Sequence, residues 1–199
     1  MSNPNAPFGL RPVRQLNGSP WNGQTIRCYL HGSYAQAMYI GDPVEYQTEL
    51  DYKDTTLKHP SVKLCTGATA HAVLGVIVSF DPLPTNLTLQ YNPASTERYC
   101  NVVLSYDVIF QIRDDGGGTP TKVYTGQNYT MTAGTASTVT GLSGYQLAST
   151  TPATTQAHPL HILSLSDIEN NELGDYAIWD VIVSTCFDVT GRILGVTAS

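Results

Sequence analysis

The first 41 residues contain no aspartate and no glutamate, and their only ionised side chains are Arg11, Arg14 and Arg27. A cationic leader therefore precedes a body that holds all 16 acidic residues and brings the net charge to -6. Helix-forming sequence is missing from the same stretch. Pro4, Pro7, Pro12 and Pro20 remove backbone donors while Gly9, Gly18 and Gly23 loosen the chain, which predicts an extended arm over 1–34. Charge is scarce throughout, at 13% of residues, about half the usual share. Thr, Ser, Asn, Gln, Tyr and Gly take its place. A pI near 5.2 argues against duplex nucleic acid as a partner of the body, because phosphate repels it at long range.

Cysteine is sparse and dispersed. Cys28, Cys65, Cys100 and Cys186 form no CxxC pair and lack the dense spacing of a secreted disulfide framework, so small buried apolar residues are expected there. Long hydrophobic runs are absent too. The longest, 72–80, is about half of what a membrane-spanning helix needs, and no charged leader with a hydrophobic core opens the chain. These features predict a soluble protein made in the cytosol, without a membrane partner.

What is present is strand signal. The segment 37–46 reads as a strand broken by a Gly41-Asp42-Pro43 turn, and 72–80 as a strand covered on both faces. Alternation over 86–91 and 107–113 predicts two half-buried strands, with Leu87, Leu89 and Tyr91 sharing one face and Val108, Phe110 and Ile112 another. Asp114-Asp115-Gly116-Gly117-Gly118 predicts a turn and a subdomain boundary. In the Thr- and Ser-rich stretch that follows, Tyr124, Tyr129, Val139, Leu142, Tyr145 and Leu147 interleave with polar residues as in short exposed strands. Strands are expected at 160–165 and 176–183, and a short helical turn at 167–173 from the Ser166-Asp167-Ile168-Glu169 capping box. The class predicted is all-β: an extended arm over 1–34, then two small barrel or sandwich subdomains at 35–115 and 116–199.

Catalytic signatures fail on inspection. Gly141-Leu142-Ser143-Gly144 lacks the final glycine of a nucleophile elbow, since Tyr145 stands in its place. His158 and His161 lie three apart, which on a strand sends them to opposite faces, and no further ligand accompanies them. Asp114 and Asp115 supply only two carboxylates of a calcium loop, and the glycines after them lack the Lys-Ser/Thr of a phosphate cradle. No enzyme, cofactor or metal is expected. The recurring tyrosines leave a carbohydrate-binding module open as an alternative, and the composition also suits a phage tail or baseplate β-protein.

The arm carries the clearest binding signal. An extended segment cannot bury Phe8, Val13, Leu16 and Trp21 against itself, so these groups need a surface supplied by the body, a sister subunit or another protein. Phe8 and Trp21 are the candidate apolar anchors, and Arg11 and Arg14 the candidate partners of acidic groups.

The run Phe8-Gly9-Leu10-Arg11-Pro12-Val13-Arg14, followed by Asn17-Gly18-Ser19-Pro20-Trp21-Asn22-Gly23, resembles the N-terminus of head decoration, or cement, proteins of tailed bacteriophages, especially short-tailed ones. Further similar motifs follow in the order of that family: Gly41-Asp42-Pro43-Val44, Gly75-Val76-Ile77-Val78, Asn92-Pro93-Ala94-Ser95-Thr96, Thr138-Val139-Thr140-Gly141-Leu142-Ser143 and Trp179-Asp180-Val181. The resemblance implies a structural virion protein, made in the bacterial host cytoplasm, that binds the major capsid protein on the outside of the shell. It further implies a homotrimer, no catalysis, and a β-tulip-like fold in the first subdomain. Phe8, Arg11, Arg14 and Trp21 are its implied docking residues.

Overall fold

A computed structural model of the chain describes residues 3–49, 54–56, 58–66, 72–118, 125–153 and 158–184. The fold is all-β. The strands are β1 (Arg11–Gln15), β2 (Ile26–Leu30), β3 (Pro43–Tyr46), β4 (Val62–Leu64), β5 (Gly75–Phe80), β6 (Arg98–Leu104), β7 (Val108–Arg113), β8 (Asn128–Tyr129), β9 (Met131–Ala133), β10 (Tyr145–Leu147), β11 (Leu160–Leu165) and β12 (Ile178–Val183). Two five-stranded antiparallel sheets organise them. Sheet A runs β1-β7-β12-β11-β8 and sheet B runs β2-β6-β5-β3-β4, while β9 and β10 pair separately.

Period-2 geometry explains the two cores. Phe110, Ile112, Trp179, Val181, Leu160 and Ile162 project from one face of sheet A and meet Val76 and Val103 of sheet B in the larger core. Cys28, Leu30, Val44, Ile77, Cys100 and Val102 project from the other face of sheet B into the second. The continuous apolar character of 75–77 follows, because Val76 faces one core and Ile77 the other. Cys28, Cys65 and Cys100 are buried thiols, as their spacing predicts; Cys186 lies outside the described residues. Desolvation pushes the Cys28 thiol up to about 12, so it stays neutral and packs as an apolar group.

Several local expectations are corrected. Residues 86–91 form turns: Asn86 Oδ1 accepts the backbone N–H (3.2 Å) and the hydroxyl (2.8 Å) of Thr88, and this local bonding competes with strand geometry. Leu87 is left 76% exposed. The helical turn at 167–173 is an irregular loop instead. Asn171 takes over its backbone groups, donating from Nδ2 to the carbonyls of Ser166 and Ile178 and accepting the Ile178 N–H at Oδ1. Of the short strands in the Thr-rich stretch, β8 and β10 are buried, with Tyr129 and Leu147 wholly inside, whereas β9 is buried only at Met131 and Val139 stays exposed; Tyr124 lies outside the described residues.

Sheet membership also crosses the boundary expected at 115. β6 belongs to sheet B and β7 to sheet A, and the chain passes between them through a short 3-10 turn at Ser105–Asp107. The turn at 114–118 forms as predicted, but its first residue is no solvated loop group. Asp114 is fully buried and accepts N–H bonds from Gly116 (2.9 Å), Tyr176 (2.7 Å) and Trp179 Nε1 (3.1 Å), joining the end of β7 to the start of β12.

The arm is extended and lies on the chain's own body. β1 is the edge strand of sheet A, with Arg11 opposite Gln111 and Gln15 opposite Val108. Asn17-Gly18, with Gly18 at φ +88°, turns the chain so that Pro20 bridges back to Arg14. Leu10 is buried in the larger core, and β2 at the arm's end pairs with β6 in sheet B. The arm thereby contributes to both sheets.

Candidate functional site

Each predicted docking residue is placed by a backbone device. The arm crosses the body at Gly9, whose N-terminal neighbour Phe8 packs beside the Gly41 turn. Gly9 and Gly41 have φ of +72° and +96°, and a β-carbon on Gly9 would lie 2.6 Å from Ser143 Cβ. A β-carbon on Gly41 would overlap the Phe8 carbonyl. The Leu10 N–H donates to the Gly41 carbonyl at 2.9 Å, and Ser143 N–H donates to Ile40 carbonyl at 2.8 Å. Three of the separated sequence motifs, around Gly9, Gly41 and Ser143, thus meet at one crossing.

Asp42 sits inside that crossing, 3% exposed. It accepts the Tyr39 N–H at 2.7 Å and a hydroxyl bond from Ser143, yet burial outweighs both and pushes its carboxyl up to about 6. Ser143 therefore has a structural role. Its Oγ also accepts the Tyr145 N–H at 3.1 Å.

Beyond the crossing, the N-terminal segment is clamped. Buried Arg113 donates to the carbonyls of Pro4 (2.8 Å), Ala6 (3.1 Å) and Tyr176 (2.6 Å). The Phe8 ring lies 4.8 Å from the Arg11 guanidinium and 5.9 Å from that of Arg113. Asn3 binds the carbonyls of Glu172 and Asp175 from Nδ2, and its Oδ1 accepts the Glu172 N–H.

Phe8, Arg11 and Trp21 line one apolar groove of about 390 Å³, whose floor and walls include Leu10, Ile40, Ile77 and Leu142. Trp21 is a ridge. On its other side a second groove of about 310 Å³ runs past Gln15, Ile26, Val103 and Tyr106. The indole is half-buried against the larger core, and its Nε1 is buried with no acceptor among the described residues. An orphan donor of this kind costs about 1–3 kcal/mol until it is satisfied.

Arg14 stands apart from the groove. It pairs with Asp180 at 3.0 Å, and Gln111 joins that carboxylate to Arg11 by donating from Nε2 to Asp180 Oδ1 (3.3 Å) while accepting Arg11 at Oε1 (2.6 Å). Gln111 also bonds the Ser166 hydroxyl. The row crosses β1, β7 and β12 in register, Arg11 to Gln111 to Asp180. Arg14 thus finds its acidic partner inside the chain, whereas Arg11 has no carboxylate partner among the described residues. Gln111, Arg113 and Asp180 are contributors that sequence reading missed; their signal was polar residues inside strands that read as apolar.

The remaining candidates are structural. His158 Nδ1 lies 3.0 Å from the Thr151 carbonyl and His161 Nδ1 lies 2.7 Å from Asn128 Oδ1. Among the described residues no group of three or more His, Cys, Asp or Glu is arranged to hold a metal ion, and no helix is long and apolar enough to cross a membrane. No family model, curated protein or solved structure matches the chain.

Proposed function

We propose that this chain is a non-enzymatic decoration protein: it binds the major capsid protein on the outer surface of an assembled phage shell, as a homotrimer, and stabilises the shell against packaged DNA. The observation that carries the reading is the groove beside Trp21. Apolar walls and a guanidinium rim without a carboxylate partner among the described residues fit an extended partner segment that supplies an apolar side chain and an acidic group. The ordered motif resemblance names the class of partner. Binding across neighbouring capsid subunits gives higher affinity for the assembled shell than for free subunits, and that difference stabilises the shell by mass action.

Occupancy on shells that lack the protein tests this. Phe8→Ala and Trp21→Ala should each weaken binding about 30-fold, corresponding to roughly 2 kcal/mol of lost burial at an interface anchor. Arg14→Ala should change it little, because that side chain is paired within the chain. Wild-type occupancy by both aromatic variants, with circular dichroism unchanged, would refute the groove as the docking site.

A further inference from the structure

Residues 82–96 and 123–166 are among the stretches of the chain that carry no Asp, Glu, Lys or Arg. The fold brings them together. Gly141 backs onto Gln90 so closely that a β-carbon would lie 2.6 Å from Gln90 Cβ and 2.7 Å from its carbonyl oxygen. Residues 38–40 bind both segments: Met38 and Asn92 exchange N–H bonds of 2.8 Å, and Ile40 accepts from Ser143 and donates to Gly141. On this joined surface stand the stacked rings of Tyr39 and Tyr91, 5.0 Å between centroids and 7° apart in plane. The two loops that meet at Gln90 and Gly141 also hold Leu87 at 76% exposure and Val139 at 86%, the two most exposed large hydrophobic side chains among the described residues.

We infer that this charge-free face, built from the loops around Leu87 and Val139, is where the chain binds a second copy of itself. The inference deepens the proposed function by assigning a surface to its oligomer. Electrostatics select the occupant. Each copy carries a net charge of -6, so contact between copies costs least where neither presents a carboxylate. Rotational symmetry sharpens the requirement, because a residue near the axis of a cyclic oligomer meets its own counterparts. Any charge there would face its like, whereas Leu, Val and Tyr match themselves. The uncharged Thr, Ser and Asn around them are also cheaper to desolvate than ions. The Trp21 groove, which takes Ile40 and Leu142 into its wall at the edge of this face, differs in its Arg11 rim and suits an acidic foreign partner.

The test is the mass of the purified full-length chain by light scattering at micromolar concentration, for the wild type and for the Leu87→Asp, Val139→Asp double variant. The exposure of both side chains keeps the fold insensitive to these changes, and Leu173→Asp, at an exposed leucine outside both the arm and this face, is the control. The wild type should be oligomeric with a mass unchanged by added salt, and the double variant should associate at least about ten-fold more weakly. A monomeric wild type, an unchanged double variant, or dissociation driven by salt would overturn the assignment. So would a double variant that keeps its mass yet loses shell occupancy, since the face would then belong to the shell. Loss of occupancy in the Trp21 variant with its mass intact bears on shell docking alone, which keeps the two readings separable.

Discussion

At the residue scale, the crossing of Gly9, Gly41 and Asp42 is where sequence and fold are most tightly tied. Gly41→Ala places a β-carbon into the Phe8 carbonyl at a left-handed φ, and should cost about 3 kcal/mol or more in urea unfolding. A cost below about 1 kcal/mol would mean that the crossing yields easily. Asp42 gives a pH signature. Its folded-state carboxyl is raised from 3.8 to about 6, so below the lower value both folded and unfolded chains hold the proton. As pH rises through that window the unfolded chain ionises first, and stability falls by roughly 3 kcal/mol before levelling above the folded value. Asp42→Asn removes this contribution. Comparing unfolding at pH 4 and pH 7, the wild type should lose more stability than the variant; parallel losses would contradict the burial argument. Little of this was legible beforehand. Gly41-Asp42-Pro43 reads as a turn, but the burial of Asp42 depends on Ser143, about a hundred residues away in the chain, and no local pattern carries that contact.

At the element scale, strands with strong apolar periodicity were legible and loops with local side-chain bonding were not. β5, β7, β11 and β12 lie where alternation or continuous apolar runs predict them. The turns at 86–91 and the loop at 167–173 were misread because Asn86 and Asn171 bond nearby backbone, an outcome that period counting does not register. The arm was legible as extended and as needing a surface. That its surface is sheet A follows from the pairing of β1 with β7 and the burial of Leu10. Deleting residues 1–24 should therefore lower folding stability by at least about 3 kcal/mol, since the larger core loses Leu10 and β7 loses its edge partner β1. A truncated chain as stable as the full one would show that β1 only rests on the sheet. Arg14→Ala is expected to be mild, at about 1 kcal/mol or less, because the arginine side chain is 47% exposed.

At the scale of the whole molecule, the low charge density has a spatial meaning that composition alone could not supply. The cationic leader folds beside an apolar groove, and two charge-free stretches of sequence meet where Gly141 backs onto Gln90, next to the groove wall at Leu142. The scarcity of charge was legible in the composition, and the resemblance supplies the class of assembly we propose; how the uncharged stretches meet required the fold. The central claim is shell stabilisation, and the thermal release of packaged DNA measures it directly. Particles assembled without the protein should release DNA at a lower temperature than decorated ones, and adding the purified wild-type chain should restore the higher value while the Phe8→Ala, Trp21→Ala double variant does not. Equal release temperatures with and without the protein would contradict the account.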